Sequence, residues 1–285
     1  MSEVLNHIPT FMNLTAEFTR RPGVVRSAKI PAAKRSTNAV TERNDGGLIE
    51  VIKQPELYEE LRLDEFWYQS WRALGTCDDG QATFEMLLSL HNEPARRVHT
   101  AQHLLDCFAK LKRWHKETQF FQQLAMGIWF HDALNDAQRH DNEARSARLA
   151  SERLSAAKVS PDNVQRIRDL IISTRPGEQL QSREARLLHD IDRAVFGADA
   201  ETYNRYERHL RYENIHIGDF IYRRKRIEQL QALLGKSQLY LTDSAQIELQ
   251  AAATANLKRW LDLWQASDLA VAPEVRVESI PGHVI

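Results

Sequence analysis

A chain of 285 residues with 42% apolar side chains can bury one sizeable core. Its 38 basic and 39 acidic residues leave a formal net charge of -1, which excludes a global field drawing it to nucleic acid or an anionic membrane. The two cysteines, Cys77 and Cys107, exclude a disulfide framework and a cysteine-rich zinc site, and they fit a reducing compartment.

Residues 1–55 read as a basic arm. Its stretch from Thr19-Arg20-Arg21-Pro22-Gly23 through Lys34-Arg35 to Asp45-Gly46-Gly47 is rich in turn formers and lacks sustained periodicity. No charged n-region precedes an apolar stretch, so a secretory signal is not expected and the cytoplasm is the expected location. No apolar run reaches the ~20 residues of a membrane span.

From about residue 56 the pattern becomes helical, with Leu57, Leu61, Phe66, Trp67 and Trp71 at helical spacing. Helical patterns recur over 81–91, 98–113, 118–133, 141–157, 161–174, 184–197, 199–211, 217–235 and 243–265. Ser160-Pro161 places proline at a first helical position. Glu184 after Ser182 suits a first turn. Alternating β-branched runs are nearly absent, so residues 56–268 are expected to form one all-α domain, a helical bundle. Residues 269–285 read as an extended tail.

Three of these helices carry residues with metal-binding chemistry. On the 98–113 pattern His99 and His103 are four apart and share one edge beside an apolar stripe, stepping about 100° per residue. Imidazoles so placed suit a borderline divalent cation. The run Ala125-Met126-Gly127-Ile128-Trp129-Phe130 ends in His131-Asp132. Burying that helix carries both polar groups to the edge of the core, where a carboxylate is costly unless paired or metal-bound. In Leu187-Leu188-His189-Asp190-Ile191-Asp192, a helical wheel continued to Phe196 sets Asp192 inside the apolar arc and Asp190 outside it. Asp192 is therefore the expected ligand, and Asp190 is expected to be solvated or paired with an arginine.

The order His103, His131-Asp132, Asp192 is similar to that of the HD-domain superfamily of metal-dependent phosphohydrolases. More narrowly, it resembles a group of small bacterial predicted HD phosphohydrolases. The carrying segments are Pro94-Ala95-Arg96-Arg97-Val98-His99-Thr100-Ala101-Gln102-His103, Trp129-Phe130-His131-Asp132-Ala133, Asp141-Asn142-Glu143, Asp190-Ile191-Asp192-Arg193-Ala194-Val195-Phe196-Gly197 and Ala255-Asn256-Leu257. The resemblance covers roughly residues 60–265. It implies an HD-type helical bundle with one ion between helices, and His103, His131, Asp132 and Asp192 as its ligands. The metal is left open among Mn, Mg, Ni, Co, Fe and Zn.

It further implies hydrolysis of a small phosphorylated metabolite, a nucleotide by analogy with the wider family, as a phosphomonoester, phosphodiester or phosphoanhydride. The spacing His99-x-x-x-His103 resembles the motif of cyclic-nucleotide phosphodiesterases, which gives His99 the general-acid role. Asp132 is the candidate to hold or accept a proton of the attacking water. Arg96, Glu143 and Arg175 are the candidate substrate contacts, Arg96 through a bidentate fork on phosphate. The chain departs from the subgroup at Val98-His99-Thr100, where Tyr-His-Asn is usual, and at Arg175-Pro176-Gly177, where a histidine is usual.

Two other readings stay open. One is a non-catalytic module that binds metal or nucleotide. The other is an HD-type di-iron oxygenase, for which His140 or Glu143 would supply further ligands. The expected partner is a small phosphorylated substrate; nucleic acid and membrane are not expected, and self-association is compatible with the sequence.

Overall fold

The computed structural model describes residues 62–266. The proposed basic arm and C-terminal tail lie outside the described residues. Every regular element within them is helical: α1 (Leu63–Ala73), α2 (Gln81–His91), α3 (Ala101–Arg113), α4 (Phe121–Phe130), α5 (Asn142–Ala156), α6 (Pro161–Ser173), α7 (Arg183–Asp192), α8 (Ala200–Glu213), α9 (Asp219–Leu234) and α10 (Asp243–Ala266). Short 3₁₀ turns cover His115–Glu117 and Ala194–Gly197. The all-α expectation holds, and no helix here is long and apolar enough to cross a membrane.

Local chemistry sets several helix starts. The Ser160 hydroxyl accepts from the Asn163 amide with Pro161 behind it, Ser182 accepts from the Ala185 amide, and the Asp199 side chain accepts from the Thr202 amide. Two expected boundaries move. The 98–113 helix begins only at Ala101, so His99 lies in the bend before it. The 184–197 helix stops at Asp192 and continues as the 3₁₀ turn, which changes every side-chain direction after that point.

Helix α4 is the hub. Leu124 through Phe130 are all buried, and the helix packs against α1, α3, α5, α6 and α7. A helix that is apolar on all sides has no solvent face and must be surrounded. Trp67 stacks on Trp71 at 4.7 Å and meets the edge of Trp129 at 5.3 Å, forming an aromatic centre. Because α4 is enclosed, its C-terminal end delivers His131 to a fixed depth in the protein.

Helix α10 lies along the 3₁₀ turn that follows α7. The approach is backbone-close: a Cβ on Gly197 would stand 2.6 Å from Leu249 Cβ and 2.9 Å from its carbonyl oxygen. Asn256 of α10 donates to the Phe196 and Ala198 carbonyls at 2.9 and 2.8 Å. These contacts hold the chain just beyond Asp192. Helix α8 is clamped to α9 by the buried Glu207–Arg226 pair, with a 2.6 Å contact to which the Tyr203 hydroxyl adds a bond at 2.6 Å.

Candidate metal centre

Four side chains converge from three helix ends. His103 comes from the first turn of α3, His131 and Asp132 from the end of α4, and Asp192 from the last residue of α7. One nitrogen or oxygen from each lies within 4.8 Å of all the others, and this group could hold a metal ion. His131 Nε2 stands 2.9 Å from Asp132 Oδ2, 3.5 Å from Asp192 Oδ1 and 3.3 Å from His103 Nε2. His103 Nε2 is 3.7 Å from Asp132 Oδ2 and 3.5 Å from Asp192 Oδ1. Ligand atoms about 2.1 Å from a shared ion stand roughly 3.0–3.4 Å apart at octahedral or tetrahedral angles, so these separations suit a single cation.

The donor set also fits. His131 Nδ1–H donates to the Ile128 carbonyl at 2.8 Å, which leaves Nε2 as the lone-pair nitrogen of the neutral ring. That lone pair then faces another imidazole nitrogen and two carboxylates. Such a cluster of electron pairs is stable only with a cation or added protons at its centre. Burial opposes charge at both His131 and Asp132, but their mutual attraction wins: His131 is raised well above the usual imidazole range and Asp132 lowered well below the usual carboxylate range. Asp192 is depressed likewise; burial opposes ionisation, but contacts to His103 and His131 outweigh it.

Arg96 corrects one expectation. In place of a phosphate-facing fork, it is a buried bracket. Nη1 donates to the Asp132 carbonyl at 2.7 Å, Nη2 to the Ala133 carbonyl at 2.8 Å, and Nε to Glu93 at 3.1 Å. Both carbonyls belong to the turn just beyond the end of α4. Arg96 thus fixes the backbone that aims His131 and Asp132.

His99 lies beside the four, its ring centroid 6.2 Å from that of His103. Its Nδ1–H donates to Glu213 Oε2 at 2.8 Å, and the Asn135 side-chain amide is 2.7 Å from the same nitrogen. Glu213 Oε1 also accepts from the amides of Arg97 and Val98 at 2.6 and 2.7 Å. The carboxylate therefore shapes the bend as well as orienting the ring. Burial disfavours the charged ring, but Asp132, Glu213 and Asp192 outweigh it and raise His99 to about 9. Burial likewise opposes charge on Glu213, while His99 and the bend amides bring it down to about 2.

Glu213 was not picked out in the sequence. One signal was present: an acid in the last turn of a helix opposes the macrodipole and needs a compensating partner.

The raised His99 value carries a sign. The unfolded ring titrates near 6.5, so the protonated folded ring stabilises the protein fully below that pH, and the contribution is lost as pH rises to about 9. Metal-free protein should lose stability over that window in urea titrations. His99→Gln should flatten this slope; an unchanged slope would refute the assignment.

The other expected contacts stand apart. Next to the four-residue group is a cavity of about 740 Å³ lined by His99, His103, Asp192, Arg193 and Tyr206 among others. Glu143, half-buried in the first turn of α5, and Arg175, exposed after α6, are not among its lining residues. His140 is exposed, and neither it nor Glu143 belongs to the four-residue group.

Asp190 departs from its expected surroundings. It is fully buried and accepts from the Leu241 amide at 2.8 Å, the Thr242 amide at 2.7 Å and the Thr242 hydroxyl at 2.8 Å, with His189 Nδ1 at 2.9 Å. It is neither solvated nor paired with an arginine. Asp192 is the more exposed of the two acids.

Comparison with protein-family models, with curated proteins and with solved structures finds no match.

Proposed function

We propose that this chain is a metal-dependent phosphohydrolase of the HD type, acting on a small phosphorylated metabolite, with a nucleotide favoured by the family resemblance. The carrying observation is the convergence of His103, His131, Asp132 and Asp192 within 4.8 Å, with an oriented histidine beside them on the same cavity. Two neutral imidazoles and two carboxylates balance a divalent ion and leave coordination positions for water and substrate. When bound there, a divalent cation supplies Lewis acidity toward a phosphoryl oxygen and acidifies a water molecule.

The protein's own groups divide the remaining work. Glu213 engages Nδ1 of His99, so Nε2 is the ring nitrogen free to give a proton to the leaving oxygen. The Glu213 carboxylate, which is outside the four-residue group, favours the protonated ring that a general acid requires. The Asp132 carboxylate can accept a hydrogen bond from the attacking water and so orient it. Arg96 keeps Asp132 in place through its backbone.

The test is elemental analysis of purified protein, then a screen of phosphorylated metabolites with added Mn²⁺, Mg²⁺ or Ni²⁺. His99→Gln is expected to retain metal and lose about 10²–10⁴ in kcat on any substrate found. Phosphate release that is unaffected by chelation, or by His99→Gln, would overturn the mechanism. Metal or nucleotide binding without turnover would favour the binding-module reading.

A further inference from the structure

The cavity beside His103 and Asp192 is also lined by the basic side chains of Arg97, Lys110, Arg193 and Arg205. Most cations on this cavity already have partners. Lys110 pairs with Glu248 at 2.5 Å, Arg97 donates to the Pro94 carbonyl at 2.7 Å and covers the Tyr212 ring, and Arg205 reaches the Thr202 hydroxyl at 3.5 Å.

Arg193 differs. It directly follows Asp192, and its backbone is pinned: its amide donates to the His189 carbonyl at 3.3 Å, and its own carbonyl accepts from the Tyr240 hydroxyl at 3.0 Å. Its guanidinium has no hydrogen bond or ion pair among the described residues, although the residue is half-buried. A desolvated cation without a partner is costly unless a ligand completes it.

Tyr206 lines the same cavity. Its ring stacks on Tyr203 at 5.7 Å and meets Phe196 edge-on at 5.9 Å, which fixes its direction. Its hydroxyl also lacks a hydrogen-bond partner among the described residues. Tyr206, Arg193 and Asp192 all line this one cavity.

We propose that Arg193 and Tyr206 form an oxyanion subsite that takes a phosphoryl group of the ligand beside the metal centre. A guanidinium fork and one phenol on the same cavity offer up to three donors, which suit the non-bridging oxygens of a tetrahedral anion. The inference deepens the phosphohydrolase reading and rests on it for the identity of the anion as phosphoryl. A phosphomonoester or terminal anhydride dianion fits better than a diester, since it offers one charged oxygen to the metal and a second to Arg193.

The experiment titrates inorganic phosphate into the full-length protein by calorimetry, both metal-free and Mn²⁺-loaded, with acetate as the carboxylate arm. Wild type is expected to bind phosphate in preference to acetate. Arg193→Met should weaken phosphate about tenfold or more in the metal-free protein, because a charged hydrogen bond is lost. Arg193→Lys should retain part of the affinity, and Tyr206→Phe should lose about threefold to tenfold. The last two variants keep the test open should Arg193→Met fail to fold. Phosphate affinity unchanged in all three variants, no phosphate binding by either wild-type form, or acetate bound as tightly as phosphate would each overturn the subsite. Arg193-dependent phosphate binding with no turnover in the metabolite screen would instead sink the hydrolytic reading alone.

Discussion

His103→Ala and Asp192→Ala are each expected to fold and yet to bind Mn²⁺ more than about 100-fold more weakly than wild type. Even outer partners of metal ligands cost 10–100-fold, and these two would be ligands themselves. The fold should survive because both side chains are only partly buried and neither fills the apolar core. Elemental analysis and calorimetric Mn²⁺ titration, with circular dichroism as the folding control, measure the effect. Glu213→Gln provides the contrast. Glu213 contacts His99 and the bend amides rather than the four-residue group, so it should keep metal within a few-fold of wild type. Wild-type affinity in Asp192→Ala would remove the physical basis of the proposed centre.

The second large effect concerns stability. Asp190→Ala is expected to cost on the order of 3 kcal/mol or more, because it strands two amides and a hydroxyl in the interior, and each buried unsatisfied donor costs about 1–3 kcal/mol. The stranded donors are the Leu241 and Thr242 amides and the Thr242 hydroxyl, the groups that fasten the lead-in to α10 onto α7. Asp190→Asn keeps an acceptor oxygen and should cost substantially less. Urea denaturation of the two variants and wild type decides the matter. A loss under about 1 kcal/mol in Asp190→Ala would show that the fastening is not needed. Protein that does fold should still bind Mn²⁺, which separates Asp190 from Asp192 by function as well as by burial.

These two aspartates show where a helical wheel stops being informative. The wheel favoured Asp192, and Asp192 does join the cluster, but the wheel's reason was reversed. It assumed one core-facing arc continued through Phe196. Helix α7 ends at Asp192, and the chain at 239–242 covers the flank that looked open, so Asp190 is the buried acid. Asp192 reaches the site because it is the terminal residue of its helix.

What the sequence determined by itself is local and periodic. Apolar spacing near 3.6 residues set the helices, serine, proline and aspartate set several of their starts, and an unbroken apolar run ending in His131-Asp132 marked a buried helix with a polar end. Those signals need only neighbours along the chain. Tertiary structure decided everything that depends on groups remote in sequence: Arg96 turned from a phosphate fork into a bracket on carbonyls 36 and 37 residues away, and Glu213 came to grip His99 across 114 residues. Hydrogen bonds and desolvation act through space, and no periodicity records which carbonyl or carboxylate packing will bring to a given side chain.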